Sequence, residues 1–246
     1  FLRAARLICA LELIRKDHPQ ELGTKEFSIG LWVGGNNTPN TREEAKKIYK
    51  GLEKGTKFIE NKFVLDRCPW CSAQIGPADE EQSKKSKFHL TGYYMVGNTI
   101  AFKCSDPACE FKSGLPVYVT DDEIYEKTPS MIIGTVDKFA MLTWKPSARS
   151  LFGIDSTGNR VKSPPGLVIQ DELHLISGPL GSMVGLFEGL IEELCTDRRW
   201  ASVVKPKIIS STATIRRYKE QIKALYARSE ACLFPPPGLH AGDSFF

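Results

Sequence analysis

A short apolar segment that ends in two adjacent carboxylates constrains this chain more than any other feature. Residues 164–169 read Pro-Pro-Gly-Leu-Val-Ile, and Gln170 then leads to Asp171, Glu172 and, two positions later, His174. An apolar run of this length, bounded by turn formers, predicts a buried strand of a parallel sheet rather than a helix. Open α/β sheets bind ligands at the carboxyl ends of such strands. The sequence therefore predicts an α/β fold with a ligand site at Asp171 and Glu172.

The two carboxylates indicate a bound cation. Burying two neighbouring carboxylates without a partner costs several kcal/mol. Mg²⁺ suits this position because it binds few protein carboxylates and completes its shell with water and phosphate oxygens. We expect Asp171 to hold Mg²⁺, through water, and Glu172 to orient and deprotonate a water that attacks a γ-phosphate. His174 is expected to link the nucleotide site to a moving partner. The alternative is a strand end whose acids simply begin a helix, where the helix dipole favours them.

Two close cysteine pairs, Cys68 with Cys71 and Cys104 with Cys109, indicate a metal site. Spacers of two and four residues suit a tetrahedral Cys₄ zinc ribbon. A small β module of this kind needs a metal because its own core is too small. We expect the ribbon to cover residues 63–116. The alternative is two reduced cysteine couples without metal. The odd total of seven cysteines favours a reducing, cytoplasmic compartment over a disulfide framework.

Length and composition narrow the class of protein. The chain has 246 residues, of which 41% are hydrophobic, and this is enough for one large domain or two small ones. Its net charge of +4 is compatible with nucleic-acid binding but does not indicate it. No apolar run approaches the roughly 20 residues of a membrane span. The chain begins Phe-Leu-Arg inside a helical pattern, so we expect further residues upstream.

The rest of the chain alternates between helical and strand patterns, as a parallel α/β sheet requires. Thr41, with Glu44 three residues later, is typical of a helix N-cap with a capping box. Thr135 is the expected N-cap of another helix. The predicted helices cover residues 1–16, 41–54, 182–194 and 215–227, and the predicted strands cover 26–33, 130–134, 166–170, 207–211 and 230–234.

Small and polar residues follow three of the predicted strands. They are Gly134 with Thr135, Asp171 with Glu172, and the run Thr212-Ala213-Thr214. The carboxyl ends of parallel strands meet at one edge of a sheet, so we expect these groups to form one site. Hydroxyl groups at one strand end would then hydrogen-bond the acids or the histidine of the next. A simpler alternative for the threonines is that they cap the helices that follow.

The order of these motifs resembles the first RecA-like domain of a superfamily 2 helicase of the DExH branch. Gly34-Gly35 resembles the glycine-doublet motif, and residues 133–139 resemble motif Ib. Asp171-Glu172-Leu173-His174 resembles motif II, and Thr212-Ala213-Thr214 resembles motif III. Together with the inserted cysteines, the chain is similar to the helicase-like component of DISARM, a bacterial antiphage system.

The resemblance implies a fold and a domain organisation. The fold would be a RecA-like parallel sheet of the P-loop NTPase type, flanked by helices. Residues 1–62 would form its first part, residues 63–116 the inserted zinc ribbon, and residues 117–246 its second part with the start of an exit linker.

The resemblance also implies a function, which is movement along nucleic acid, preferably DNA, driven by hydrolysis of ATP with Mg²⁺. Gly34, Gly35, Thr135 and Asp137 would line the nucleic-acid groove, because such domains hold the sugar–phosphate backbone with small residues and backbone N–H groups. The run Thr212-Ala213-Thr214 would couple hydrolysis to movement. Partner subunits of a defence complex are expected as well.

The sequence departs from the helicase pattern at several points. Val136 stands where motif Ib usually has proline, and Thr212 stands where motif III usually has serine. No G-x-x-x-x-G-K-[ST] phosphate loop occurs, so we expect that loop before Phe1 and a second RecA-like domain after Phe246. The chain alone would then not hydrolyse ATP. The alternatives are a zinc-ribbon nucleic-acid- or protein-binding module on a degenerate NTPase scaffold, and an ATPase that acts on protein.

The ribbon itself carries groups that suit nucleic acid. Lys84, Lys85 and Lys87 would contact phosphates, and Tyr93 and Tyr94 would stack on bases. The alternative is a solvated lysine run beside aromatic residues of the core.

Overall fold

The structure, a computed structural model, shows two compact α/β units. It describes residues 1–56, 59–77, 90–176, 178–212, 218–228 and 230–234. The first unit is Phe1–Val161 and the second is Lys162–Phe246. Both units contain parallel strand pairs and helices, which confirms the predicted α/β class.

The helices and strands alternate along most of the chain. The first unit contains α1 (Leu2–Asp17), α2 (Pro19–Leu22), β1 (Ile29–Trp32), α3 (Arg42–Glu53), β2 (Gly76–Pro77), β3 (Leu90–Thr91), β4 (Tyr93–Val96), β5 (Thr99–Phe102), β6 (Val117–Tyr118), α4 (Asp121–Lys127), β7 (Met131–Gly134), α5 (Val136–Ala140) and a 3₁₀ helix at Pro146–Phe152. The second contains β8 (Leu167–Gln170), a 3₁₀ turn at Leu173–Leu175, α6 (Gly178–Cys195), β9 (Lys207–Ser210) and α7 (Tyr218–Tyr226). Within the described ranges, no helix combines the length and the apolar character needed to cross a membrane.

The central strand of the first unit is β1, in a parallel sheet with the order β6-β1-β7. Its four residues are buried because strands pair with it on both sides and helices pack over it. The register pairs Trp32 with Gly134, so β1 and β7 end side by side. The loops that follow these strands therefore begin at the same edge of the sheet.

The helix that follows β1 begins where the sequence predicts. Thr41 Oγ1 accepts a hydrogen bond from the Glu44 N–H at 3.2 Å, which confirms Thr41 as the N-cap of α3. In return, Glu44 Oε2 accepts from the N–H of Asn40 at 3.0 Å. The reciprocal bond of the capping box thus reaches the residue before the cap. This anchors the loop between β1 and α3 at its far end.

A buried ion pair fastens α1 to the start of β1. Glu12 is 2% exposed, and both of its carboxylate oxygens accept hydrogen bonds from the Arg15 guanidinium at 2.7 Å. Glu12 Oε2 also accepts from the N–H of Phe27 at 2.9 Å. Burial opposes ionisation of Glu12, but these donors hold the pKa of its carboxyl below the usual value. The position of α1 is therefore tied to the entry of the central strand.

The second unit is built on one parallel pair of strands. β8 pairs with β9 from Leu167 opposite Lys207 to Gln170 opposite Ser210. The predicted strand at this position is confirmed, but the prediction that it is buried is wrong. Leu167 is 49% exposed and Ile169 59% exposed. The two side chains share one face of the strand, and the described part of the chain leaves that face largely uncovered.

The predicted strand over residues 230–234 is also wrong. None of these residues pairs with a strand in the part of the chain that the structure describes. Phe234 is 71% exposed, so the apolar pair Leu233-Phe234 is not held in the interior that a strand of this composition would need. The apolar composition of residues 230–234 was therefore not sufficient to predict a strand.

Candidate functional site

The four cysteines predicted to bind zinc come together in the first unit. Their Sγ atoms all lie within 4.8 Å of one another. The Sγ atoms of Cys68 and Cys109 are 4.0 Å apart, and those of Cys71 and Cys104 are 3.3 Å apart. Zn–S bonds of about 2.3 Å in a tetrahedron place sulfur atoms about 3.8 Å from each other. The donor set and its spacing therefore fit one tetrahedral metal ion.

Backbone N–H groups support the sulfur atoms in this cluster. The Asp106 N–H donates to Cys104 Sγ at 3.4 Å, and the Phe111 N–H donates to Cys109 Sγ at 3.5 Å. Burial nevertheless raises the pKa of both Cys104 and Cys109 above the usual thiol value. Thiolates at these positions need a compensating positive charge, which a metal ion supplies.

The ribbon shares its core with the rest of the first unit. Tyr93 is only 4% exposed, and its ring packs edge to face against Phe63 and Phe102 with centroids 5.2 and 5.3 Å away. Of the two alternatives for Tyr93, the core position is therefore the correct one, and base stacking by its ring is excluded. On the other side, Arg6 of α1 donates from Nε to the carbonyl of Pro69 at 2.8 Å, beside the first cysteine pair.

Tyr94, unlike Tyr93, is partly exposed. Its hydroxyl donates to the carbonyl of Ser113 at 3.3 Å, and the Lys103 ammonium lies 5.2 Å from its ring centroid. Together with Lys112, these side chains line an open groove of about 530 Å³. The lysines predicted to contact phosphates, Lys84, Lys85 and Lys87, lie outside the described residues.

The residues predicted to hold nucleic acid gather at one edge of the β6-β1-β7 sheet. Gly34 and Gly35 follow β1, and Thr135 follows β7. The Thr135 N–H donates to the carbonyl of Trp32 at 3.3 Å, so the two loops start in contact. Thr135 and Asp137 are exposed. Thr135 takes the predicted N-cap position of α5, although its side chain makes no capping hydrogen bond.

A buried lysine that the sequence analysis did not single out lies behind this edge. Lys138 is 7% exposed, and its Nζ lies 2.5 Å from Asp121 Oδ2 and 2.9 Å from Asn40 Oδ1. Lys138 is one position from the predicted Asp137, but a basic residue beside a nucleic-acid motif is normally interpreted as a phosphate ligand. Only its burial against an acid reveals the different role.

The predicted acids lie at the end of β8 in the second unit, next to the end of β9. Ser211 Oγ donates a hydrogen bond to Asp171 Oδ1 at 2.5 Å, and the Glu172 N–H donates to the same oxygen at 3.0 Å. These two donors hold the pKa of Asp171 below its usual value, with the serine the stronger cause. Asp171 and Glu172 are both exposed, so the expectation that two buried carboxylates need a cation is wrong in its premise of burial. The local sequence around Ser211 gives no sign of this bond to Asp171.

Glu172 has a backbone conformation that side chains rarely adopt. Its φ is +53° and its ψ is +47°, in the left-handed region that favours glycine. This turn follows the end of β8, and the Glu172 side chain is 55% exposed. Strained residues of this kind often occur at functional sites.

The predicted histidine joins the two strand ends. His174 Nδ1 lies 3.2 Å from Glu172 Oε2 and 3.4 Å from Thr212 Oγ1. Side chains at the ends of β8 and β9 thus meet, as the sequence predicts for neighbouring strands. Ala213 and Thr214, the other two predicted coupling residues, lie outside the described residues.

A comparison with known proteins identifies a relative. No protein-family model matches the chain. The sequence is 36% identical to the DISARM protein DrmA of Bacillus paralicheniformis over 275 aligned positions, which cover 99% of this chain. This chain is homologous to part of DrmA. The predicted similarity to a DISARM component is thereby confirmed. The chain spans 24% of the length of that relative, so the match concerns one section of a much longer protein.

Proposed function

We propose that this chain is part of an ATP-dependent nucleic-acid translocase or helicase that acts in bacterial antiphage defence. The observation that carries the proposal is the meeting of two strand ends: Asp171 with Ser211, and Glu172 with His174 and Thr212. Parallel neighbouring strands that present acids on one and hydroxyls on the other suit a Mg²⁺-nucleotide site with a built-in link to a second motif. The homology to DrmA supports the defence role.

Each side chain has a proposed task. Asp171, kept ionised by Ser211, would hold Mg²⁺ through water, and the metal would supply charge neutralisation at the phosphates. Glu172 would orient the attacking water and accept its proton. His174 lies between Glu172 and Thr212. A change in the bound nucleotide would therefore move the loop after β9 through His174.

The edge of the first unit would hold the polymer. The loops after β1 and β7 present the small residues Gly34 and Gly35 and the exposed side chains Thr135 and Asp137. Contacts from backbone N–H groups and small side chains position a sugar–phosphate chain without reading its sequence. DNA is the proposed polymer.

The cysteine cluster would bind one structural zinc ion. Four thiolates form a closed ligand set with no open position for substrate, which is typical of structural rather than catalytic zinc. The accessible groove with Tyr94, Lys103 and Lys112 would add nucleic-acid contacts on the ribbon. We also propose a RecA-like fold and a cytoplasmic location for the protein.

Measurement of ATP hydrolysis by the full-length protein separates the competing functions. A nucleic-acid motor hydrolyses ATP faster when single-stranded DNA is added. A protein remodeller hydrolyses ATP but does not respond to DNA. A zinc-ribbon binding module on a degenerate scaffold shows no hydrolysis under either condition, and this result would overturn the proposal.

A further inference from the structure

The buried Lys138 connects three separate elements of the first unit. It belongs to α5, and its ammonium binds Asp121, the first residue of α4, and Asn40, in the loop between β1 and α3. Lys138 is 7% exposed and Asp121 5% exposed, so both charges are removed from water. A buried lysine persists only with such partners, because an unpaired charge in the interior is costly.

Hydrogen bonds also link Asp121 to the central strand β1. The Tyr125 hydroxyl lies 3.4 Å from Asp121 Oδ2, and the indole N–H of Trp32 donates to that hydroxyl at 3.0 Å. Trp32 is the last residue of β1 and is 1% exposed. The acid that binds Lys138 is therefore itself fixed against the strand from which the glycine loop departs.

Asn40, which binds Lys138, also packs against the glycine doublet. A Cβ atom added to Gly35 would lie 2.5 Å from Asn40 Nδ2, so the side chain packs directly against the Gly35 backbone. From another side, the Lys62 ammonium donates to the carbonyl of Gly35 at 2.8 Å. A side chain at position 35 would therefore push on the Asn40 amide that binds Lys138. The loop after β1 is thus fixed relative to the start of α5.

We infer that Lys138 is a positioning residue for the nucleic-acid edge and does not itself contact the polymer. Its bonds to Asn40 and Asp121 set the separation between the Gly34-Gly35 loop and the Thr135–Asp137 turn. Both loops must hold the same sugar–phosphate chain, so a change in their separation weakens binding without removing a phosphate contact. This inference rests on the proposed function.

The salt dependence of binding tests the inference. Each phosphate contact that is lost reduces the slope of log affinity against log salt by about 0.7 for a single strand. In the full-length protein, Lys138→Met is expected to weaken binding of a single-stranded oligonucleotide about tenfold with no change in this slope. Lys145→Met, which removes an exposed lysine nearby, is the control for the change in net charge.

A double variant separates positioning from simple loss of stability. Lys138→Met alone leaves Asp121 buried without its cation, whereas Lys138→Met with Asp121→Asn removes both charges. The double variant is expected to fold, by its circular dichroism and melting curve, and to keep the weak binding because Asn40 has still lost its anchor. A reduced slope in Lys138→Met overturns the inference, and so does wild-type affinity in either folded variant. If the wild-type protein binds no single-stranded DNA, the proposed function fails and the inference fails with it.

Discussion

Ser211 Oγ donates a hydrogen bond to Asp171 Oδ1 at 2.5 Å, which joins two side chains that are 40 positions apart in the sequence. The bond is possible because β8 and β9 are parallel neighbours that end together. It favours the ionised form of Asp171 and lowers the pKa of that carboxyl. A Mg²⁺ ligand must be ionised, so in the role proposed for Asp171, Ser211 would extend the pH range in which Asp171 can act.

Ser211→Ala is expected to raise the pKa of Asp171 toward its ordinary value. A depressed pKa keeps the carboxylate charged as the pH falls, so removing the cause shifts the loss of charge to higher pH. The acid limb of the pH profile for Mg²⁺-dependent ATP hydrolysis should therefore move to higher pH in the alanine variant. Ser211→Thr keeps the hydroxyl and serves as the control. An unchanged acid limb in Ser211→Ala would contradict the role of the bond.

Glu172→Gly is expected to preserve or raise stability while it abolishes ATP hydrolysis. Glu172 has φ +53°, and a side chain in this region costs about 1 kcal/mol that glycine avoids. Glu172→Val, with a branched Cβ in the same conformation, should lower the melting temperature. Thermal unfolding of the two variants against the wild type measures the difference. A glycine variant that is less stable than the valine variant would rule out strain at this position.

Removal of the proposed zinc ion is expected to unfold the first unit as a whole. Cys68, Cys104 and Cys109 lie in the same buried cluster as Ala5 of α1 and Ile29 of β1, so the ribbon has no separate core. Cys71→Ser should reduce bound zinc from about one ion per chain and lower the melting temperature of the α/β signal. Cys232→Ser, at an exposed cysteine outside the cluster, is the control. Unchanged zinc content and stability in Cys71→Ser would remove the metal site.

Stability is expected to fall between about pH 4.5 and pH 7 because of Glu123. This residue is 3% exposed, and burial raises the pKa of its carboxyl to about 7, against the opposing charge of Arg42. A carboxyl with a raised pKa stabilises the fold below its unfolded pKa, and this contribution is lost as the pH rises through the folded value. Glu123→Gln should remove up to about 3 kcal/mol of this pH dependence.

Melting temperatures at pH 5 and pH 8 test this expectation. The wild type should lose more stability than Glu123→Gln between the two values. Glu110→Gln, at an exposed glutamate, is the matched control and should follow the wild type. Equal losses in the wild type and in Glu123→Gln would show that Glu123 does not titrate in this range.

Local patterns predicted the parts of the structure that local chemistry controls. Thr41 caps its helix because an N-cap hydroxyl acts on an N–H three residues away. The two cysteine pairs converge as their spacing predicted, with all four Sγ atoms within 4.8 Å of one another. The strand ahead of Asp171 was predicted correctly, yet its burial was not, because burial depends on what covers a face and a strand pattern does not contain that information.

The residues whose roles were not evident from the sequence depend on partners that are distant in the sequence. Lys138 is buried only because Asp121 and Asn40 surround its ammonium, and these three residues are far apart in the sequence. Ser211 follows an apolar strand as many capping serines do, and its bond to Asp171 depends on the pairing of β8 with β9. The sequence left two alternatives open for Tyr93, because aromatic residues near lysines suit both a core and a binding face. Its packing against Phe63 decides between them.

The most direct test of the proposed motor function is the comparison of Glu172→Gln with the wild type in the full-length protein. Binding of ATP and of single-stranded DNA, and the rate of ATP hydrolysis, should be measured in parallel with Mg²⁺ present. The amide keeps the shape of the side chain but cannot accept a proton from water, so both ligands should bind as in the wild type while turnover falls at least about a hundredfold. Hydrolysis at the wild-type rate in Glu172→Gln would contradict the proposal that the end of β8 is the catalytic centre.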